Sequence, residues 1–212
     1  MKKVILLNAS PRKNFNTAKL LREAEKGAQA AGAETEYIDL NSLTFKGCQS
    51  CLACKRKDAA RCKCFWHDDL SPVIDGVLQA DAVILGTPIY FSEPTALFRG
   101  FLERLLFCCL SYDGGTTYFQ GKLPVGIIYD MNAPQEYYES TYKEKFKEIE
   151  SLFTMVLHSD VSAVASCGTI QVADYTKYAM SLLDGKERLE LGKKQFPEDL
   201  KAAFELGGKL GQ

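Results

Sequence analysis

Five of the chain's eight cysteines fall between positions 48 and 64, in the pattern Cys48-x2-Cys51-x2-Cys54-x7-Cys62, with Cys64 close behind. Thiolates so clustered suit one metal centre. Iron–sulfur clusters take four of them, often three closely spaced and one remote. Tetrahedral zinc also accepts four, and His67 stands nearby. The third possibility is an ordinary loop that holds no metal. A disulfide framework is not expected, because such frameworks belong to small secreted domains without a core. Cys108, Cys109 and Cys167 read as small packed residues, and His67 alone reads as a surface residue.

A second constellation lies in Ser10-Pro11-Arg12-Lys13-Asn14-Phe15-Asn16-Thr17. It follows a short apolar run and precedes a helical pattern. The first turn of a helix has amide groups without internal partners and a positive dipole end, which together suit a phosphate. Ser10 and Thr17 offer hydroxyls, Asn16 an amide and Arg12 a fixed cation. The glycine fingerprint of dinucleotide sites and the Gly-Lys-Ser/Thr of nucleotide triphosphatases are both missing, so one phosphate of a mononucleotide is expected. The plainer alternative is that Asn16 or Thr17 caps the helix while Arg12 stands in solvent.

The elements needed to position these residues are legible from periodicity. Val4–Leu7 and Ala82–Gly86 are continuous apolar runs, as in strands covered on both faces. Further strands are expected at Glu34–Leu40, Pro124–Tyr129 and Val161–Ser166. Helices are expected from Thr17 to Ala31, Ser71 to Ala80, Thr95 to Cys109 and Gln135 to Leu157, with two C-terminal helical stretches ending at Gly207-Gly208. Strands alternating with helices predict an α/β domain with five parallel strands in the order 2-1-3-4-5 and helices on both faces. Ligands in that arrangement sit beyond the carboxyl ends of the strands. Those ends carry Ala9–Thr17, Thr87–Glu93 and Asp130–Gln135.

Composition sets the outer limits. The chain has 212 residues, 46% of them hydrophobic, with 26 basic and 27 acidic side chains and a net charge of -1. That length predicts one domain over 1–212 with a cysteine-rich insertion at about 45–67, large enough to fold without staples. The near-zero charge disfavours nucleic-acid or membrane-surface partners. The apolar stretch after Met1-Lys2-Lys3 is too short for a secretory leader, so a cytoplasmic protein is expected.

The motif Ser10-Pro-Arg-x-x-x-Asn-Thr17, with Thr87-Pro-Ile-Tyr-Phe91 and the segment Pro94–Arg104 downstream, resembles the NADPH-dependent FMN reductase family of flavodoxin-like three-layer proteins. Within it the cysteine-bearing iron–sulfur flavoproteins are the nearest match, over residues 1 to about 170. Phe15 departs from the small residue often found there and narrows the phosphate approach. The resemblance implies that FMN binds to Ser10, Arg12, Asn16 and Thr17 through its phosphate, and to Pro88, Ile89, Tyr90 and Phe91 through its ring. An electron-poor ring suits apolar and aromatic contact, although Tyr90 and Phe91 also fit a core or an interface. Asp130-Met131-Asn132 lacks the family's glycine and is a weaker ring contact.

The resemblance also assigns Cys48, Cys51, Cys54 and Cys62 to a [4Fe–4S] cluster, with Lys55, Arg56, Lys57, Arg61 and Lys63 offsetting its charge. The implied activity is NAD(P)H oxidation through FMN, with electrons passed to a flavin, quinone or other acceptor, and no catalytic side chain is named. The alternatives are an electron carrier using the cluster, or a non-enzymatic zinc-binding or regulatory protein. A homodimer or homotetramer is implied, and Phe98, Phe101, Leu105 and Cys108 either face a partner subunit or pack on the sheet.

Overall fold

A computed structural model describes residues 1–212. Its five parallel strands are β1 (Lys3–Asn8), β2 (Glu34–Asp39), β3 (Ala82–Tyr90), β5 (Val125–Asp130) and β6 (Val161–Ser166). They lie side by side as β2-β1-β3-β5-β6, the expected doubly wound order, and a two-residue strand β4 (Glu93–Pro94) folds back antiparallel on β3. β3 is longer than its apolar run predicts. It continues through Pro88 because the turn at Phe91-Ser92 returns the chain as a hairpin, with φ of +50° and +67° at these two residues. Positive φ at both central positions is what a two-residue hairpin turn demands.

Helices α1 (Asn16–Ala30) and α6 (Gly185–Gly211) cover one face of the sheet; α2 (Leu70–Gln79), α3 (Ala96–Cys109) and α5 (Lys143–Leu157) cover the other. α5 is preceded by a short α-turn, α4 (Gln135–Tyr137), and a π-helical turn over Tyr138–Tyr142, so the predicted continuous helix from Gln135 is interrupted. Phe98, Phe101, Leu105 and Cys108 are all buried on the core side of α3. They pack on the sheet, the second of the two expected alternatives.

The C-terminal region corrects two expectations. The two helical stretches are one 27-residue helix that runs through Pro197. An interior proline costs about 3 kcal/mol, and the packing of the turns beyond it offsets that cost: Ala203, Leu206 and Leu210 are buried, and Asp199 accepts hydrogen bonds from Ser166 and Gln195. Gly207 does not end the helix. A Cβ there would fall 1.8 Å from the Ala24 carbonyl oxygen, and one at Gly27 would fall 2.0 Å from that of Phe204. The backbones of α1 and α6 therefore touch, which only glycine permits.

Candidate functional site

Strand register brings the loops together. Asn8 ends β1 beside Asp39 and Gly86, and Asp130 ends β5 beside Pro88 and Ser166. From Asn8 the chain is tied down residue by residue. Asn8 Nδ2 donates to Asp39 Oδ1 at 2.7 Å, Asn8 Oδ1 accepts from the Ser10 amide at 3.0 Å, and Ser10 Oγ accepts from the Arg12 amide at 3.1 Å. Thr95 caps α3 and its hydroxyl reaches back to the Ala9 carbonyl at 2.8 Å.

α1 begins with Phe15 at its cap position, with no side-chain cap and no acidic residue in the first turn. The expected alternative, Asn16 or Thr17 serving as the cap, is not what the structure shows. A hollow of about 120 Å³ opens at this helix end. Its lining includes Ser10, Arg12, Asn16, Thr17, Pro88, Ile89 and Tyr90 of the predicted set, together with Asp130 and Thr169. Ligand pockets for whole small molecules run to roughly 300–1,000 Å³, so this one is sized for a tail, with a ring left to the open ledge beside it. Pro88 is buried, Ile89 half-buried and Tyr90 exposed on that ledge. Phe91 does not line the hollow; it stands fully exposed at the hairpin tip.

Two features of this mouth go beyond the sequence reading, which gave Asp130 only as a weaker ring contact. Asp130 turns its carboxylate into it, accepting from Thr17 Oγ1 at 2.8 Å and Thr169 Oγ1 at 2.7 Å. Burial pushes the Asp130 carboxyl above its usual range, against the opposing pull of the Thr169 and Thr17 hydrogen bonds. The segment after β6 forms the far wall: Asn16 Nδ2 donates to the Ile170 carbonyl at 2.8 Å, and Arg12 to that of Gln171 at 2.7 Å. The Arg12 guanidinium also lies 3.5 Å over the Phe15 ring. Phe15 thus positions the cation. The signal for Thr169 was the carboxyl end of the fifth parallel strand.

The cysteine segment contains no strand, and only a three-residue 3-10 turn, Ala53–Lys55, interrupts its irregular path. Its anchor is Arg104 of α3, which is 2% exposed. Arg104 donates to Asp68 at 2.7 Å, to the Lys46 and Trp66 carbonyls at 3.1 Å, to Ser71 at 3.2 Å and to Cys64 Sγ at 3.1 Å. An arginine on an otherwise apolar helix face was the sequence signal for it. Four of the five basic residues expected near the thiolates have oxygen partners of their own. Lys55 Nζ donates to carbonyls at the end of α3, Arg56 pairs with Asp58, Arg61 with Asp113 and Lys63 with Asp75.

Cys48, Cys51 and Cys54 line one narrow hollow with Cys64 and Cys108, while Cys62 is not among its lining residues. No three cysteine, histidine or carboxylate side chains converge tightly enough for a single metal ion. All eight cysteines are free, and His67 is exposed. No helix is long and apolar enough to cross a membrane.

Residues 2–136 match the family model described as NADPH-dependent FMN reductase. An iron–sulfur flavoprotein of Methanocaldococcus jannaschii is 35% identical over 102 residues, 48% of this chain and 51% of that one. An iron–sulfur flavoprotein of Archaeoglobus fulgidus is 33% identical over 102 residues, 48% of each chain. The chain thus spans about half the length of the curated relatives it matches. In solved structures, the fold is shared with an NAD(P)H:quinone oxidoreductase from Methanothermobacter marburgensis, at TM-score 0.73 and 17% identity over 100% of this chain and 98% of that one. It is also shared with an azoreductase from Bacillus anthracis, at TM-score 0.65 and 15% identity over 99% and 100%. With the family model covering β1 to β5 and the three loops that carry Ser10–Thr17, Pro88–Tyr90 and Asp130, this chain belongs to the NADPH-dependent FMN reductase family.

Proposed function

We propose that the chain is an FMN-dependent NAD(P)H oxidoreductase, a single domain over 1–212 with the cysteine segment 45–67 inserted in it. The observation that carries this is the uncapped first turn of α1, with Ser10 and the Arg12 guanidinium beside it at the carboxyl ends of the strands. The donor set fits a phosphate monoester: amide groups, hydroxyls and one fixed cation, in a hollow of tail size. Asp130 stands at the edge of this donor set, its carboxyl raised by burial and both its oxygens accepting from the Thr17 and Thr169 hydroxyls.

Bound there, FMN supplies the redox chemistry, taking hydride from a reduced nicotinamide and passing electrons to a flavin, quinone or other acceptor. The chain's own part is to hold the tail with Ser10, Arg12, Asn16 and Thr17. Pro88, Ile89 and Tyr90 would hold the ring on the ledge beside the hollow. Close approach and orientation, rather than an acid or base, are what hydride transfer requires. Exposed Phe91 beside this ledge suits a second subunit, as in a homodimer or homotetramer, and the free thiols suit a reducing compartment such as the cytoplasm.

The iron–sulfur electron carrier is the second interpretation, favoured by five cysteines around one hollow beside a buried cation. The donor set fits a cluster. A single zinc ion, which holds its thiolates about 2.3 Å away, fits less well because no three such donors converge.

Purified protein incubated with FMN and desalted should remain yellow, and should oxidise NADH or NADPH when a soluble quinone is present. Colourless protein without nicotinamide oxidation would remove the flavin interpretation altogether. Flavin retention with poor nicotinamide oxidation, but reduction by a ferredoxin, would favour the electron carrier.

A further inference from the structure

Resting on the FMN interpretation above, we propose that Gln171 is a further cofactor-binding residue. Its side-chain carbonyl accepts from a ribityl hydroxyl, so that the mouth recognises the polyol linker as well as the phosphate. Four buried side-chain polar atoms have no hydrogen-bond partner: the hydroxyls of Tyr37, Tyr129 and Ser159, and Oε1 of Gln171. Of these residues, Gln171 lines the mouth. An enclosed carbonyl oxygen left unpaired carries a desolvation penalty, which a ligand with a donor removes. The main chain holds Gln171 in this position from both sides. Its carbonyl accepts from Arg12 at 2.7 Å, its amide donates to the hydroxyl of buried Tyr175 at 3.1 Å, and the neighbouring Ile170 carbonyl accepts from Asn16 at 2.8 Å.

The kind of atom left unpaired decides what it can bind. A phosphate dianion carries acceptors only. It suits the amides of the first turn of α1, the Arg12 guanidinium and the Ser10 hydroxyl, and it has nothing to offer Gln171 Oε1. The other polar side chains around that wall are already matched. The Thr17 and Thr169 hydroxyls donate to Asp130 at 2.8 and 2.7 Å, and Asn132 Nδ2 donates to the Thr169 carbonyl at 2.9 Å. What the hollow lacks is a donor facing Gln171. Between its phosphate and its ring FMN carries a run of hydroxyls, neutral groups that donate as well as accept. A site that keeps a buried polar atom for a ligand hydroxyl discriminates against the analogue without it. Gln171 thus selects a polyol phosphate over an alkyl phosphate of the same length.

The test is a fluorescence titration of parent and Gln171→Leu with two ligands: FMN, and a flavin whose phosphate hangs on a plain pentyl chain. The parent should prefer FMN. Gln171→Leu should weaken FMN about tenfold and leave the pentyl analogue within about twofold of its parent affinity. The flavin-free chain gives a second readout. Because leucine removes an unpaired oxygen, the denaturation midpoint should stay level or rise, whereas loss of a structural contact would lower it. Gln171→Ala makes the same comparison should the leucine variant not fold. Equal losses for both ligands would mean that the side chain serves the phosphate or the fold. Unchanged FMN affinity, or a parent that binds both ligands equally, would take Gln171 off the linker. Each of these results overturns the assignment and leaves FMN in the mouth. A parent that binds neither ligand overturns the FMN interpretation, and the assignment falls with it.

Discussion

The phosphate mouth and the cysteine segment are built in opposite ways. Most residues of the mouth lie at the end of a strand or the start of a helix, or within a few residues of one, so the paired strands fix its geometry. The cysteine segment has almost no regular structure, and its shape rests on side chains reaching in from α3: Arg104 above all, then Glu103, which accepts from the Cys48 amide at 3.3 Å. Lys55 works in the other direction, running from the segment to the end of α3. A site built on regular elements keeps its form when one contact is lost. A site hung on one buried cation does not.

The sharpest way to break that contrast is Arg104→Leu. It leaves Asp68 and two carbonyls without their donor, and removing one partner of a buried ion pair costs about 3–5 kcal/mol. Chemical denaturation should show the loss, and limited proteolysis should cut within 45–67 while FMN retention by the surviving folded protein is unchanged. An equally large loss of flavin would mean that the two regions are not independent. Gly207→Ala tests the scaffold behind the mouth. Its Cβ meets backbone rather than a flexible side chain, so a destabilisation of about 2–3 kcal/mol is expected by denaturant titration.

The mouth itself is tested by Arg12→Ala with Thr17→Ala. Losing a charge-assisted and a hydroxyl hydrogen bond should weaken FMN by about 2 kcal/mol, roughly thirtyfold in Kd by fluorescence titration. Unchanged affinity would move the phosphate elsewhere. The smallest effect belongs to Asp130→Asn. Because the folded carboxyl titrates above its unfolded value, its contribution to stability is complete below the ordinary carboxylate range. That contribution is lost as pH rises through the raised folded value. The asparagine variant should flatten this fall in a plot of denaturation midpoint against pH.

The sequence made the regular framework readable for a physical reason. Buried parallel strands are apolar runs such as Val4–Leu7 and Ala82–Leu85, and their alternation with helices leaves one common topology. Most of the tail-binding set was readable too, because Ser10, Arg12, Asn16 and Thr17 sit together in one loop. What escaped depended on side chains from distant positions. Nothing local to Asp130 says that it will meet Thr17 and Thr169. The same holds for Arg104, whose partners lie from Lys46 to Ser71. The single C-terminal helix through Pro197 escaped too, because the burial that offsets the proline's local cost comes from α1, far away in sequence.

The touching backbones of α1 and α6 set a timetable for the chain's birth on the ribosome. Ala24 and Gly27 emerge early, yet the surface that covers them arrives only with Gly207 and its neighbours. At ordinary elongation speeds that interval is roughly 10–35 s. Throughout it the first helix has an open flank, so stalling in the last turns should strand a sticky, half-closed molecule in need of a chaperone.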